Sequence, residues 1–316
     1  MKIVYVTGCL GFIGSYVTRK CLEKGWMVYG IDKCTYAANT DLIQEFSKHP
    51  NFKFERADIK DLDHLYDCDY VINTAAESHV ANSIISSEKF LETNVLGTQN
   101  LLELIRSKQK NVGKRPIFLH FSTDEVYGDI INGDHSEDDL LKPSNPYSAS
   151  KAAADMLVLA WARTYDINYV IVRPANNYGI GQYPEKLIPL AVKNLNRGRK
   201  TCLHNGGEPY RCWLHADDTA EAIITIVESG KLNEIYNISG HEERKNIDTV
   251  KKIVECYGHS TNEIEKYADF LYSRQGQDVR YAVDDKKLQS LGWFTKKKFD
   301  EEIESIVQYY KEKFIW

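Results

Sequence analysis

Short apolar runs separated by longer amphipathic stretches recur through the first half of the chain. Ile3-Val-Tyr-Val6, Met27-Val-Tyr-Gly-Ile31, Phe52-Lys-Phe-Glu55, Tyr70-Val-Ile-Asn73, Ile117-Phe-Leu-His-Phe121 and Tyr169-Val-Ile-Val172 each read as a strand. Helical stretches lie between them: Gly11 to Lys24, closed by Gly25; Phe90 to Arg106; and Ala149 to Thr164. Alternating strands and helices predict an α/β fold of the Rossmann type, a doubly wound parallel sheet covered on both faces. After Arg173-Pro174 the alternation stops, and Gly, Pro and Asn thicken between 176 and 210. The pattern predicts a large domain over 1–175 and a smaller α/β domain over 176–316. Asp217-Asp218 reads as the cap of a helix from Thr219 to Val227, so a segment near 213–240 is expected to rejoin the large domain.

Gly8-Cys-Leu-Gly-Phe-Ile-Gly14 follows the first strand and opens the first helix, with glycines at 8, 11 and 14 around Phe12 and Ile13. Small residues there let a pyrophosphate reach backbone amides at the positive end of a helix. Asp32 ends the second strand, where a carboxylate accepts from both ribose hydroxyls and repels a 2'-phosphate. NAD is therefore expected rather than NADP, with Lys33 weakening the exclusion slightly. Asp58 and Ile59, past the third strand, are expected to face adenine, and Ala75 and Ala76, past the fourth, to line the cofactor's wall.

Thr123, Asp124 and Glu125 follow the strand ending at Phe121, at the carboxyl edge where open parallel sheets hold ligands. Tyr147 and Lys151 are four residues apart on a predicted helix and can share one face. A positive charge beside a phenol favours phenolate, so Lys151 is expected to lower the pKa of Tyr147 and make it a usable base. Two adjacent acids in unlike surroundings can hold different protonation states, one donating a proton while the other accepts.

Composition narrows the classes. With 43% hydrophobic and 27% charged residues the chain is ordinary for a globular enzyme. A formal charge of -5 leaves no basic surplus to displace counterions from nucleic acid, and Lys296-Lys-Lys298, the one basic run, reads as a solvated loop. Cysteines at 9, 21, 34, 68, 202, 212 and 256 are odd in number and show neither CxxC nor zinc spacing, so no metal site is expected and reduced thiols in a cytoplasmic protein fit best. The N-terminus enters a strand with no signal-like region, and no apolar run approaches the roughly 20 residues a membrane helix needs.

These residues together resemble the extended short-chain dehydrogenase/reductase superfamily, and within it the nucleotide-sugar 4,6-dehydratases of the dTDP-glucose 4,6-dehydratase type. The likeness spans nearly the whole chain. Thr7 to Gly14 and Pro146-Tyr-Ser-Ala-Ser-Lys151 are shared across the superfamily; Ser122-Thr-Asp-Glu-Val-Tyr-Gly128 and Pro184-Glu-Lys-Leu-Ile-Pro189 are narrower. The resemblance implies an internal redox cycle on a nucleotide-diphosphate sugar. Tyr147, assisted by Lys151 and Thr123, takes the proton at the 4-hydroxyl; Glu125 abstracts the proton at carbon 5; Asp124 protonates the departing hydroxyl of carbon 6. It further implies that Asn176, Glu185, Lys186, Arg211 and Arg274 hold the diphosphate, that Ser78, Leu187 and His204 belong to the substrate site, and that the protein is a homodimer joined through two helices per subunit.

Two departures bear on the substrate. The run Ala75-Ala-Glu-Ser-His-Val80 is followed by Ala81-Asn82 where the family has an acid and an arginine, which would suit a bulkier group such as N-acetyl. Cys212 stands for the Asp of the Arg-Asp-Trp-Leu motif, and His204-Asn205 for Tyr-Gly, which leaves uracil and thymine both open. The expected substrate is thus UDP-N-acetylglucosamine or UDP- or dTDP-glucose, with the choice left open. A 4-epimerase or decarboxylase of the same fold would keep Tyr147, Lys151 and the glycines without needing adjacent acids. A sensor that binds NAD without turnover would have no reason to keep Thr123, Tyr147 and Lys151.

Overall fold

The six predicted strands form, each within a residue or two of its expected ends: β1 (Ile3–Thr7), β2 (Met27–Asp32), β3 (Phe52–Arg56), β4 (Tyr70–Asn73), β5 (Ile117–Phe121) and β6 (Tyr169–Pro174). Beyond them lie β7 (Asn176–Tyr178), β8 (Thr201–Cys202), β9 (Tyr210–His215), β10 (Glu234–Ile238), β11 (Glu243–Lys245) and β12 (Ala268–Asp269). This computed structural model describes residues 1–112, 115–229 and 231–313. Seven strands make one parallel sheet in the order β10-β6-β5-β4-β1-β2-β3. The winding reverses between β1 and β4, so the crevice at their carboxyl ends is where this architecture places a ligand.

Successive residues of a strand point to opposite faces, and the core divides accordingly. Val4, Val6, Ile72, Leu119, Val170 and Val172 join one apolar cluster under the Phe12–Glu23 and Ala216–Ser229 helices. Tyr5, Val71, Phe118 and Ile171 join the other, under the Thr98–Val112 and Pro146–Tyr165 helices. Burial on both faces explains why the strands read as continuous apolar runs.

The remaining strands build a smaller body. β9 pairs with β7 in parallel and with β11 antiparallel, and the Leu187–Asn196, Asn246–Tyr257 and Phe299–Glu312 helices pack around Tyr178, Trp213, Ile253 and Ile303. Between these segments the chain returns to the large sheet. The Ala216–Ser229 helix lies against the Phe12–Glu23 helix, and β10 pairs with β6 from Glu234↔Val170 onwards. Asp217 and Asp218 do not cap this helix, which starts at Ala216. The Asp218 carboxylate instead accepts from the backbone N–H groups of Lys296 and Lys297 at 3.1 and 2.9 Å, so its charge holds a loop from the chain's last segment.

The helix expected over Phe90–Arg106 is interrupted by a π-turn, Leu91–Gly97. Within it lies Asn94, whose side-chain amide accepts from Glu77 N–H at 2.9 Å, donates to Glu77 O at 3.0 Å and reaches Ser150 Oγ at 2.8 Å. A turn of this kind marks a point where packing or function overrides regular geometry. Here it ties the loop after β4 to the helix that carries Tyr147.

Candidate active site

Gly8 and Gly14 have no room for side chains. Gly8 adopts φ +69°, and a Cβ there would stand 2.8 Å from the Ala75 backbone; at Gly14 it would stand 2.0 Å from the Gly8 carbonyl oxygen. The backbone thereby comes within reach of a ligand at the N-terminus of the Phe12–Glu23 helix. Asp32 is held by two backbone donors, Leu10 N–H to Oδ2 at 3.0 Å and Cys34 N–H to Oδ1 at 2.7 Å. Burial raises its pKa, and those two bonds oppose the rise. Asp32, Lys33, Asp58, Ile59 and Ala75 line one cavity of 110 Å³ with the first two glycines. Lys33 pairs with Asp58 at 2.6 Å, so the cation that would have welcomed a 2'-phosphate is engaged with an acid. The close glycines, the paired lysine and the anchored Asp32 all fit NAD.

A second cavity, of 260 Å³, shares Gly8, Gly11, Thr74 and Ala76 with the first and opens over the carboxyl ends of β5 and β6. Phe12, Ile13, Gly14 and Ser78 line it on one side; Thr123, Glu125, Tyr147 and Lys151 on another; Asn176, Glu185 and Lys186 close it. The Tyr147 helix is fixed at its start by a reciprocal cap. Ser148 N–H donates to Asn145 Oδ1 at 2.9 Å, Asn145 N–H donates to Ser148 Oγ at 3.2 Å, and Pro146 occupies the first turn. Thr123 caps the next element, a 3-10 turn over Asp124–Tyr127, by accepting from Glu125 N–H at 3.3 Å; its Oγ1 also lies 3.1 Å from Asp124 Oδ1.

The adjacent acids sit in different surroundings. Asp124 is 2% exposed, and burial followed by the Glu125 charge pushes its pKa up to about 8, while the Thr123 bond opposes the shift. At neutral pH it is an acid with a proton to give. Its carboxyl lies behind the cavity wall and does not line it, with Oδ2 lacking a partner among the described residues. Glu125 reaches the cavity. Burial raises its pKa too, but Arg211, Lys186 and Arg274 pull the other way.

Tyr147 departs from expectation. Burial and the charge of Glu125 push the phenol above its ordinary range, with only the Thr123 hydroxyl opposing strongly. Lys151 is not among the groups that shift it; its ammonium donates to the Phe121 carbonyl oxygen. Burial drives Lys151 down to about 8, against the pull of Asp155 one turn on. Asp155 is itself fully buried and takes Arg173 Nε at 3.0 Å; Arg173 continues to the Tyr127 hydroxyl at 2.6 Å.

Three cations converge near Glu125. Lys186 Nζ donates to Ser78 O at 2.7 Å, Arg211 stacks over the Tyr281 ring at 4.9 Å, and Arg274 keeps a buried Nε with no partner among the described residues. Burial lowers both Lys186 and Arg274, and the Glu125 charge opposes each shift. Such a cluster is suited to a diphosphate. Of the other expected substrate residues, Glu185 lines the cavity, and Ala81, Leu187 and His204 do not. Glu185 accepts from Tyr36 OH at 3.0 Å; His204 is half-buried near the Arg274 charge; Leu187 begins a helix and packs into apolar clusters; Ala81 sits in the short Val80–Ile85 helix and lines neither cavity. Sequence reasoning passed over Gln182 and Tyr183 in the wall, and Asp278 and Tyr281 behind Glu125. Arg274, three residues before Gln277-Asp278, was the available signal for the latter pair.

Residues 5–306 match the GDP-mannose 4,6 dehydratase family. The chain belongs to that family. Proteins similar to it include the low-salt glycan biosynthesis protein Agl12 of Haloferax volcanii, 40% identical over 97% of this chain and 98% of that one. The dTDP-glucose 4,6-dehydratase of Neisseria meningitidis is also 40% identical, over 100% and 95%. Among solved structures, DesIV, a dTDP-glucose 4,6-dehydratase from Streptomyces venezuelae with NAD and TYD bound, matches with a TM-score of 0.92 and 35% identity over 98% of this chain and 97% of that one. A UDP-glucuronic acid 4-epimerase from Bacillus cereus, in complex with UDP-glucuronic acid and NAD, matches with 0.90 at 28% identity over 99% of both. The GDP-mannose 4,6 dehydratase family thus shares its Rossmann-type sheet with epimerases.

Proposed function

We infer that the protein is an NAD-dependent nucleotide-sugar 4,6-dehydratase, a hydro-lyase that converts a nucleotide-diphosphate hexose to its 4-keto-6-deoxy form. The observation that carries this reading is the pair Asp124 and Glu125: one acid protonated by burial, the other facing the cavity among cations, both beside Tyr147. Gly8, Gly11, Gly14, Asp32 and Ile59 hold NAD, which when bound supplies the acceptor of the carbon-4 hydride and its donor to carbon 6. Tyr147 takes the proton of the 4-hydroxyl as the phenolate, a form that the Thr123 hydroxyl bonded to it and the positive charge of Lys151 in the same cavity wall both favour. A ketone at carbon 4 acidifies carbon 5, and Glu125 takes that proton. Asp124, linked to the cavity through Thr123, gives its proton to the departing hydroxyl, which leaves as water. Lys186, Arg211 and Arg274 hold the diphosphate.

The case for an N-acetyl group rested on Ala81, which lies outside the cavity wall. We therefore take dTDP-glucose, the substrate named for several relatives, as the first substrate, with UDP-glucose and UDP-N-acetylglucosamine as its competitors. Incubation with each and mass analysis of the product tests the reading: loss of one water supports it, and an isomer of unchanged mass points to an epimerase. We place the protein in the cytoplasm, in keeping with seven free cysteines and with no helix among the described residues long and apolar enough to cross a membrane. We further propose a homodimer joined through the helical segments that expose Leu91, Leu96 and Met156. The same two segments carry Asn94 and Tyr147, so dimerisation would brace the active site. Light scattering of the purified protein checks this.

A further inference from the structure

Behind Glu125 lies a buried arrangement that the mechanism above does not use. The Tyr281 side chain is 2% exposed, and its hydroxyl stands between two carboxylates. It contacts Asp278 Oδ2 closely and lies 3.4 Å from Glu125 Oε2. A phenol has one hydrogen. The nearer partner, Asp278, takes it, and Asp278 is fixed for that purpose: Ser144 Oγ donates to its other oxygen, and Gly276, at φ +62° two residues earlier, packs so tightly that a Cβ there would meet the Ser144 carbonyl oxygen at 2.7 Å. The Tyr281 ring is clamped by the Arg211 guanidinium at 4.9 Å. Tyr281 thus presents lone pairs, not a hydrogen, to Glu125.

A lone pair is poorly matched to a carboxylate and well matched to a carboxylic acid, which can donate to it. Glu125 changes from the first to the second during the elimination. The carbon-5 C–H bond breaks, its electron pair expels the carbon-6 hydroxyl, and the proton stays on Glu125. We propose that Tyr281 is a positioning residue for this step: with its hydrogen committed to Asp278, its oxygen accepts a hydrogen bond from Glu125 once Glu125 holds the carbon-5 proton. The proposal rests on the dehydratase reading. An interaction made only after proton transfer accelerates the step, because it strengthens towards the transition state.

The groups facing Glu125 from neighbouring elements are Asp124, Tyr147, Lys186, Arg211, Arg274 and Asp278. The three cations favour the carboxylate and the acids oppose it, so the contribution of Tyr281 is read as the difference one hydroxyl makes against a constant background. Tyr281→Phe supplies that difference and keeps the ring against Arg211. The experiment is single-turnover release of deuterium from carbon 5 of dTDP-glucose labelled there, followed by mass spectrometry across pH. We expect release to slow about tenfold, the worth of one hydrogen bond, and the acid limb of the profile to move about one unit to lower pH, because the protonated form of Glu125 has lost its acceptor. Asp278→Asn, which weakens the hold on the phenol hydrogen, should move the limb the same way. A limb that stays in place with Tyr281→Phe, or moves to higher pH as loss of a donor to the carboxylate would require, overturns the proposal. A wild-type protein that releases neither deuterium nor water from any of the three sugars overturns the dehydratase reading instead.

Discussion

Replacing Asp124 with asparagine should stop the reaction and, at the same time, make the folded protein more stable. Burial and the Glu125 charge move this carboxyl from 3.8 to about 8. The folded state therefore keeps a proton that the unfolded chain releases, and stability falls as pH rises between those two values, by about 1.4 kcal/mol per unit. By pH 7 the accumulated cost is about 4 kcal/mol, levelling off near 6 kcal/mol above pH 8. Asparagine has the same shape and never ionises, and its amide at the unpartnered Oδ2 position replaces a carboxylic O–H in the same circumstances. Relaxation around a buried charge takes back part of the cost, so a gain of about 2 kcal/mol at pH 7 is expected. The assay is urea unfolding of wild type and Asp124→Asn at pH 6, 7 and 8.5, with unchanged slope and midpoints that diverge as pH rises. Product formation should meanwhile fall by about a hundredfold or more, the usual worth of a general acid. Equal midpoints, or a difference that does not grow with pH, would refute the account of Asp124 as a carboxyl kept neutral by its surroundings.

Other substitutions isolate other steps. Glu125→Gln should bind NAD as wild type does but lose water release by about two orders of magnitude or more; normal product yield would remove Glu125 as the base. Tyr147→Phe should show no transient absorbance of reduced cofactor in a single turnover, and a normal transient would mean that another group takes the 4-hydroxyl proton. Gly14→Ala brings a methyl to 2.0 Å from the Gly8 carbonyl oxygen, so NAD retained through purification should fall at least tenfold, and titration calorimetry would reveal an unaffected site.

Much of this was legible in the linear chain, for identifiable reasons. Val4, Tyr5 and Val6 are all apolar because Val4 and Val6 meet one covered face and Tyr5 the other, and that run is the signature of a central parallel strand. Gly8, Gly11, Gly14 and Asp32 declare themselves because their spacing is local. What could not be read depends on partners far away in sequence. Asn94 bonds to Glu77 and Ser150 from within a π-turn; Asp218 looks like a cap until Lys296 and Lys297 arrive; Lys151 meets the Phe121 carbonyl of a strand 30 residues earlier. Ala81 invited an argument about the sugar wall, and the fold sets it in the Val80–Ile85 helix, outside both cavities. Asp278 and Tyr281 carry no motif of their own, and only folding brings them to Glu125.

The return of β10 to the edge of β6 has a practical consequence for anyone trimming this protein. A gene stopped after the sixth strand would contain Gly8, Gly11, Gly14 and every proton-handling side chain, yet β6 would be left as a bare edge and the Phe12–Glu23 helix would lose its neighbour. Unpaired parallel edges and stripped apolar surfaces invite self-association. The fragment should precipitate, and adding the 216–238 segment back in trans should restore its solubility.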